Sequence, residues 1–308
     1  METCDLTAPR YRAHVRYLTC PVPPERDGAC IGDLLRRGVG LSAAQIKRIK
    51  YLPDGIMLDG ARVTTAARAR AGQVLRLRLS DTARSSGIAP VQGSVDILYE
   101  DEDLLVVNKA PGVAVHPGMG QGVYTLGNFL LFYYDQEGIP ADFHPVHRLD
   151  RGTSGLMVVA KHALAQDRLR EELHSSAFDR TYLAVCDGVP PDSGGSVDLP
   201  IGRSEGSVLR REVRPDGLSA RTDYTVLREG HGRALLQLHL HTGRTHQIRV
   251  HMAALGCPLT GDFLYGTEDP SLIARAALHS AALTFRHPIT GAQLSFSLPL
   301  PEDMAQLL

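Results

Sequence analysis

Residues 144–161 read HPVHRLDRGTSGLMVVAK, and within them Asp150 stands between Arg148 and Arg151, two residues ahead of a Gly-Thr-Ser-Gly run. A carboxylate in a partly dry pocket tends to neutralise, and a neighbouring guanidinium opposes that, so such an acid can stay ionised and act as nucleophile or general base. The plain alternative is a surface salt bridge. The nearest acids in sequence are Asp142 and Asp167, and neither lies in a comparable motif. Standard glycoside hydrolysis places two carboxylates across the scissile bond, so a lone acid argues against it.

Other chemistries lack their parts. His239, His241, His246 and His251 crowd the stretch HLHTGRTHQIRVHM. A spacing of five residues does not set two imidazoles side by side on a helix, however, and no HExxH occurs. No phosphate-cradling glycine loop stands at a strand-to-helix junction, and TSG at 153–155 is not a nucleophile elbow. The five cysteines are scattered and never spaced CxxC, which speaks against a disulfide framework and a thiolate zinc site. No metal, nucleotide or other cofactor is expected.

The elements that must position Asp150 fall into two parts. Residues 80–94, SDTARSSGIAPVQGS, are rich in Ser, Gly, Ala and Pro without apolar period. They predict a linker over 81–93 between a domain at 1–80 and a larger one at 94–308. In the first part, Ser42 and Gln45 have capping-box spacing ahead of a helix carrying Lys47, Arg48 and Lys50. AGQVLRLRLS alternates strictly, setting Leu75, Leu77 and Leu79 opposite Val74, Arg76 and Arg78. In the second part, ILYEDEDLLVVNK predicts two strands around an acidic turn and LMVVAK a buried strand. HALAQDRLREELHS predicts a helix, as does THQIRVHMAALG, which Gly256 ends. Strands outnumber helices and several are joined by short turns. The expected class is therefore α+β, a mixed and largely antiparallel sheet with flanking helices.

Net charge is −1, but residues 31–80 carry ten Lys and Arg against three Asp and Glu, while from 81 onward 19 basic residues face 27 acidic ones. A basic module on an acidic body points to a polyanion held mainly through one end, with Arg36, Arg37, Lys47, Arg48 and Lys50 as the expected contacts. The catalytic cleft must then concentrate arginines of its own. The apolar fraction of 43% suits a soluble core, and no apolar run nears the roughly 20 residues of a membrane helix. Nor does the N-terminus carry the apolar stretch of a secretory signal. A cytoplasmic, monomeric protein is expected.

Four blocks, in chain order, carry a family likeness. HRLDRGTSG resembles the HRLDxxTSG signature of the RluA family of pseudouridine synthases. NKAPGVAVHP at 108–117 is similar to its NKPxGxxVHP stretch, with Ala110 inserted after the lysine. FDRTYLAVCDG at 178–188 resembles its tyrosine segment, and GRTHQIRVHMAALGCPLTGDFLYG at 243–266 its long C-terminal motif. The basic unit before the linker resembles, more loosely, the S4 RNA-binding module.

The resemblance implies a pseudouridine synthase fold behind a small S4-like α/β domain, and conversion of uridine in RNA to its C-glycoside isomer without cofactor. The catalytic aspartate falls on Asp150. Its partner guanidinium is assigned to Arg244, the apolar wall to Ile248, and the aromatic face for the uracil to Tyr182. Arg148 is expected to reach into the RNA and support the flipped nucleotide, with His116 and His147 beside the substrate. Whether Asp150 is nucleophile or base stays open. Ribosomal RNA is favoured over transfer RNA, because the S4-like layout is commoner among the family's ribosomal enzymes. The alternative is an RNA-binding protein that keeps the fold without the chemistry.

Overall fold

The computed structural model describes residues 15–118, 122–173, 175 and 177–308. The first 14 residues of the expected N-terminal domain lie outside the described residues.

A small sheet comes first, ordered β1 (Tyr17–Pro21), β4 (Val74–Arg78), β2 (Ile56–Leu58), β3 (Ala61–Arg62), all antiparallel. The alternation in β4 works as the sequence implies: Leu75, Leu77 and Leu79 are buried while Val74 is exposed. Helix α1 (Ile31–Asp33) runs into a π-helical stretch, Leu34–Val39, and α2 (Ala43–Ile49) follows. Ser42 and Gln45 close the capping box reciprocally, satisfying two donors at the start of α2.

The second sheet has ten strands. Its main path runs β10 (Gly194–Asp198), β13 (Arg221–Gly230), β14 (Arg233–Leu240), β9 (Asp179–Asp187), β15 (Leu278–Arg286), β8 (Ser154–Ala160), β6 (Leu104–Lys109), β5 (Asp96–Glu100). Strand β7 (His144–Pro145) pairs with β8 and β16 (Gln293–Ser297) with β15. A separate hairpin joins β11 (Ile201–Arg203) to β12 (Arg211–Val213). Of the described ladders, only β8 with β15 is parallel, so the sheet is mixed and largely antiparallel.

Both faces of the sheet centre are covered, which is why every residue of β8 is buried. The period of two shows in β6: Leu105 and Val107 face a core shared with α3 (Leu126–Glu137) and α5 (Gln247–Ala254), whereas Leu104 and Val106 face α4 (Ala163–Glu172). A last helix, α6 (Glu302–Ala305), closes the chain. Among the described residues no helix is long and apolar enough to cross a membrane.

Gly155 explains part of the Gly-Thr-Ser-Gly run. Its φ is +107°, and a Cβ there would lie 2.3 Å from the Ser280 carbonyl oxygen. Only glycine lets β8 approach β15 so closely at the strand entrance.

The stretch over 81–93 is not a free tether. Asp81 is buried and bridges Arg48 of α2 to His144, at 2.9 and 2.7 Å. Asp142 receives the backbone N–H groups of Ser85 and Ser86. Arg16 binds Asp103, Arg168 donates to the Val39 carbonyl, and Leu164 of α4 completes the small unit's core. Composition alone predicted a loop, and long-range carboxylates turned that loop into a docked strap.

Candidate active site

Asp150 sits in the turn that leads into β8, where the Thr153 N–H donates to the Asp150 carbonyl at 3.1 Å. The turn is locked against the end of β6. Arg151 exchanges bonds with Gly112 through its backbone carbonyl and its Nε, so its side chain serves the loop. Beneath lies Lys109, 1% exposed, whose Nζ donates to the carbonyls of Ala110, Val113 and Arg151. Burial pushes Lys109 down to about 7, against the pull of the Asp150 charge. The NK pair of the 108–117 motif was the sequence signal for this lysine, and motif reading did not assign it a role.

The Asp150 side chain, 25% exposed, looks into a cleft of about 340 Å³. Tyr182 and Ile248 line that cleft, both 4% exposed. Burial raises the Tyr182 phenol, which therefore stays protonated at neutral pH. Among the described residues five arginines also line it (Arg148, Arg170, Arg180, Arg244 and Arg249) against one carboxylate, Asp150. Basic charge is thus gathered locally on an otherwise acidic domain.

The guanidinium facing Asp150 belongs to Arg249, not to Arg244. Arg249 Nη1 lies 3.6 Å from Asp150 Oδ2, and its fork is clamped on buried Asp262 by two bonds of 2.7 Å. Arg244 is exposed, and its Nε donates to the Ser219 carbonyl at 2.9 Å. The reason is helical geometry. Arg244 precedes α5 and projects from the turn, whereas Arg249 lies inside the helix, three residues after His246 and on the same side. That i, i+3 pairing of His246 and Arg249 was the available signal.

His246 is the second group over Asp150. It holds the left-handed conformation, φ +59°, which is rare for a side-chain-bearing residue and clusters at functional sites. Its Nε2 is 4.0 Å from Asp150 Oδ2, and its Nδ1 meets the Tyr265 hydroxyl at 2.9 Å. Burial pushes its pKa below the usual value against the pull of Asp150.

The remaining assignments divide. Arg148 is exposed at the cleft edge, and His116 lines the cleft edge-on to Phe143. His147 is buried; its Nε2 accepts the Val158 N–H at 3.3 Å, and burial with nearby Arg180 pushes it down to about 3. Its neutral ring is bonded into the framework of β8 and also lines the cleft wall. His239, His241 and His251 point to separate partners: Asp179, Asp223, and Thr222 with the Leu199 carbonyl. In the small unit Arg36, Arg37 and Lys47 are exposed, and Lys50 lies 4.7 Å over the ring of exposed Tyr51. Arg48 Nη1 donates to Asp81 at 2.9 Å, which braces the two units together, while the rest of its side chain stays exposed.

Comparison with known proteins adds the family. The model of the RNA pseudouridylate synthase family matches residues 103–254. A Bacillus subtilis protein described as the uncharacterized RNA pseudouridine synthase YjbO is 39% identical over 270 residues, 88% of this chain and 95% of that protein. The ribosomal large subunit pseudouridine synthase D of Yersinia pestis is 43% identical over 233 residues, 71% of each chain. Among solved structures, human RNA pseudouridylate synthase domain containing 4 superposes with a TM-score of 0.56 at 26% identity, covering 68% of this chain and 90% of that one.

Proposed function

The chain belongs to the RNA pseudouridylate synthase family and is an RNA pseudouridine synthase; from that premise we propose that it isomerises uridine in ribosomal RNA, with Asp150 acting on the ribose. The observation that carries the assignment is the single carboxylate in the cleft, faced by Arg249 and His246 and flanked by Tyr182 and Ile248. Ribosomal RNA is favoured by the similarity to the large-subunit synthase of Yersinia pestis.

The reaction breaks the bond from C1′ to N1, turns the uracil and joins C5 to C1′; C5 gives up its proton and N1 takes one up, so that atoms and charge balance. Two roles fit Asp150: nucleophile at C1′, or base for a ribose proton. Either requires the anion, and Arg249 supports it without forming a close bond that would quench its reactivity. No water is consumed, so the second carboxylate of a glycosidase has no task here. Tyr182 offers an aromatic surface to a base that has left its stack, and Ile248 an apolar wall. Arg148, at the cleft edge, supports the flipped nucleotide. The exposed Arg36, Arg37 and Lys47 of the S4-like unit hold RNA beyond the cleft. The enzyme acts as a monomer in the cytoplasm.

The test pairs an Asp150→Asn variant with wild type on a uridine-containing ribosomal RNA fragment. Retained binding with lost conversion is the expected outcome. Undiminished conversion sinks the assignment, and release of free uracil by the wild type replaces isomerisation with hydrolysis. Mapping pseudouridines in total RNA with and without the gene then identifies the target.

A further inference from the structure

Two arginines are buried among the described residues, Arg249 at 6% and Arg180 at 5% exposure. Their situations are opposite. Arg249 has a carboxylate partner in Asp262, held by two bonds. Arg180 has no carboxylate and no hydrogen-bond acceptor among the described residues, and its Nε is sealed from solvent without a partner. A guanidinium cannot shed its charge, so a buried one without an anion is strongly unfavourable. Folded proteins tolerate that chiefly where a ligand completes the pairing.

The surroundings indicate which ligand. Arg180 precedes Tyr182 by two residues on β9, so both side chains leave the same face of the sheet, and both line the cleft. Asp150, the one carboxylate there, is faced by Arg249 and His246 and forms no ion pair with Arg180. Gly243 borders the guanidinium: a Cβ at that position would lie 3.2 Å from Arg180 Nη1. A neutral uracil carbonyl compensates a full positive charge only weakly. A phosphate compensates it completely, matches the guanidinium fork, and must enter with any nucleotide that leaves its helix.

We propose that Arg180 is the seat of an RNA phosphate flanking the target uridine, so that its charge is completed only when substrate is bound. This rests on the reading that the cleft receives a uridine of RNA. It makes Arg180 a binding residue with a distinctive signature, because removing it weakens substrate without weakening the fold.

The experiment is a thermodynamic cycle. Wild type and Arg180→Met are titrated with a uridine-containing RNA oligonucleotide, and with the same oligonucleotide carrying neutral methylphosphonates on both sides of the uridine. Neutralising the phosphates is expected to weaken wild-type binding on the order of tenfold and to leave the variant nearly unaffected. Melting of Arg180→Met is expected at or above the wild-type temperature. Gly243→Ala, which keeps the charge but crowds Nη1, is expected to weaken binding of the natural oligonucleotide at unchanged Tm. An equal methylphosphonate penalty in both proteins overturns the proposal. So does a lowered Tm in Arg180→Met with affinity intact, which assigns the arginine to structure. Wild type that neither binds nor converts the RNA overturns the functional reading, and this inference with it.

Discussion

Asp103 and Asp150 are both carboxylates set among arginines and histidines, and they are built to opposite ends. Asp103, 4% exposed, accepts two bonds from Arg16 at 2.8 and 3.0 Å and one contact from His162 at 2.9 Å. Burial pushes it upward, yet the His162 and Arg16 bonds prevail and hold it far below the usual carboxylate range. Asp150 is 25% exposed, with Arg249 Nη1 at 3.6 Å, His246 Nε2 at 4.0 Å and no hydrogen bond to its carboxylate among the described residues. The difference is one of completion. A carboxylate with both oxygens bonded joins two pieces of chain, whereas one steadied at a distance keeps its lone pairs for a substrate.

The largest effect that sharpens this contrast comes from neutralising each acid. Asp150→Asn is expected to lower single-turnover conversion by roughly 10²–10⁴-fold or more at unchanged Tm. Asp103→Asn is expected to do the reverse. It leaves Arg16 short of its buried partner and destabilises by about 3–5 kcal/mol, while the folded fraction still converts RNA. Chemical denaturation and rapid-quench assays on the same preparations check both, and equal Tm losses would erase the distinction.

Next in size is the choice between the two arginines of the C-terminal motif. Arg249→Lys keeps a charge but loses the fork that holds Asp262 and faces Asp150, so conversion is expected to fall on the order of tenfold. Arg244→Lys, on an exposed side chain, is expected to leave the conversion step near wild type. Reversal of that order in single-turnover rates would return the catalytic partnership to Arg244.

Acid titration separates framework groups by sign. His147 is neutral in the folded state down to about 3, whereas unfolded histidine takes a proton near 6.5. The folded state thus binds fewer protons between these values, and stability present above about pH 6.5 is lost at about 1.4 kcal/mol per unit as pH falls. His279, pushed down to about 4 by burial first and then by Arg275, acts in the same sense. Asp103 adds its own loss only below about pH 4, where unfolded carboxylates protonate and its depressed folded value keeps it charged. A His147→Gln variant should therefore show a shallower fall in Tm between pH 6.5 and 4, and an unchanged slope would remove His147 from this account.

The smallest effect is expected at the brace between units. Arg48 is 45% exposed on its side chain, so Arg48→Ala should cost at most about 1 kcal/mol and leave the salt dependence of RNA binding intact. Charge reversal at Lys47 should instead flatten that dependence, since Lys47 is exposed and forms no ion pair among the described residues. A flattened salt slope in Arg48→Ala would place Arg48 on the RNA face after all.

Much of this architecture is local and hence readable. The alternation of Leu75, Leu77 and Leu79, the Ser42–Gln45 cap, the unbroken apolar run of β8 and the stop at Gly256 each follow from the period of one element. So did the placement of Asp150 at a strand entrance. Charge pairing was less accessible. Arg244 and Arg249 are five positions apart in one motif, and only the direction of α5 decides which meets Asp150. The strap over 81–93 is loop by composition, and its anchoring depends on Asp142 and His144, some 60 residues away.

The amino-acid order by itself determined the alternation of strands and helices, the solitary acid at 150 and the aromatic at 182, because periodicity and motif spacing act over a few residues. Only the tertiary structure decided which guanidinium faces that acid, which arginine is left buried without an anion, and that the basic unit is tied down. Those outcomes depend on distances between segments far apart in the chain. Electrostatic energy follows separation in space, which folding sets and sequence spacing does not record.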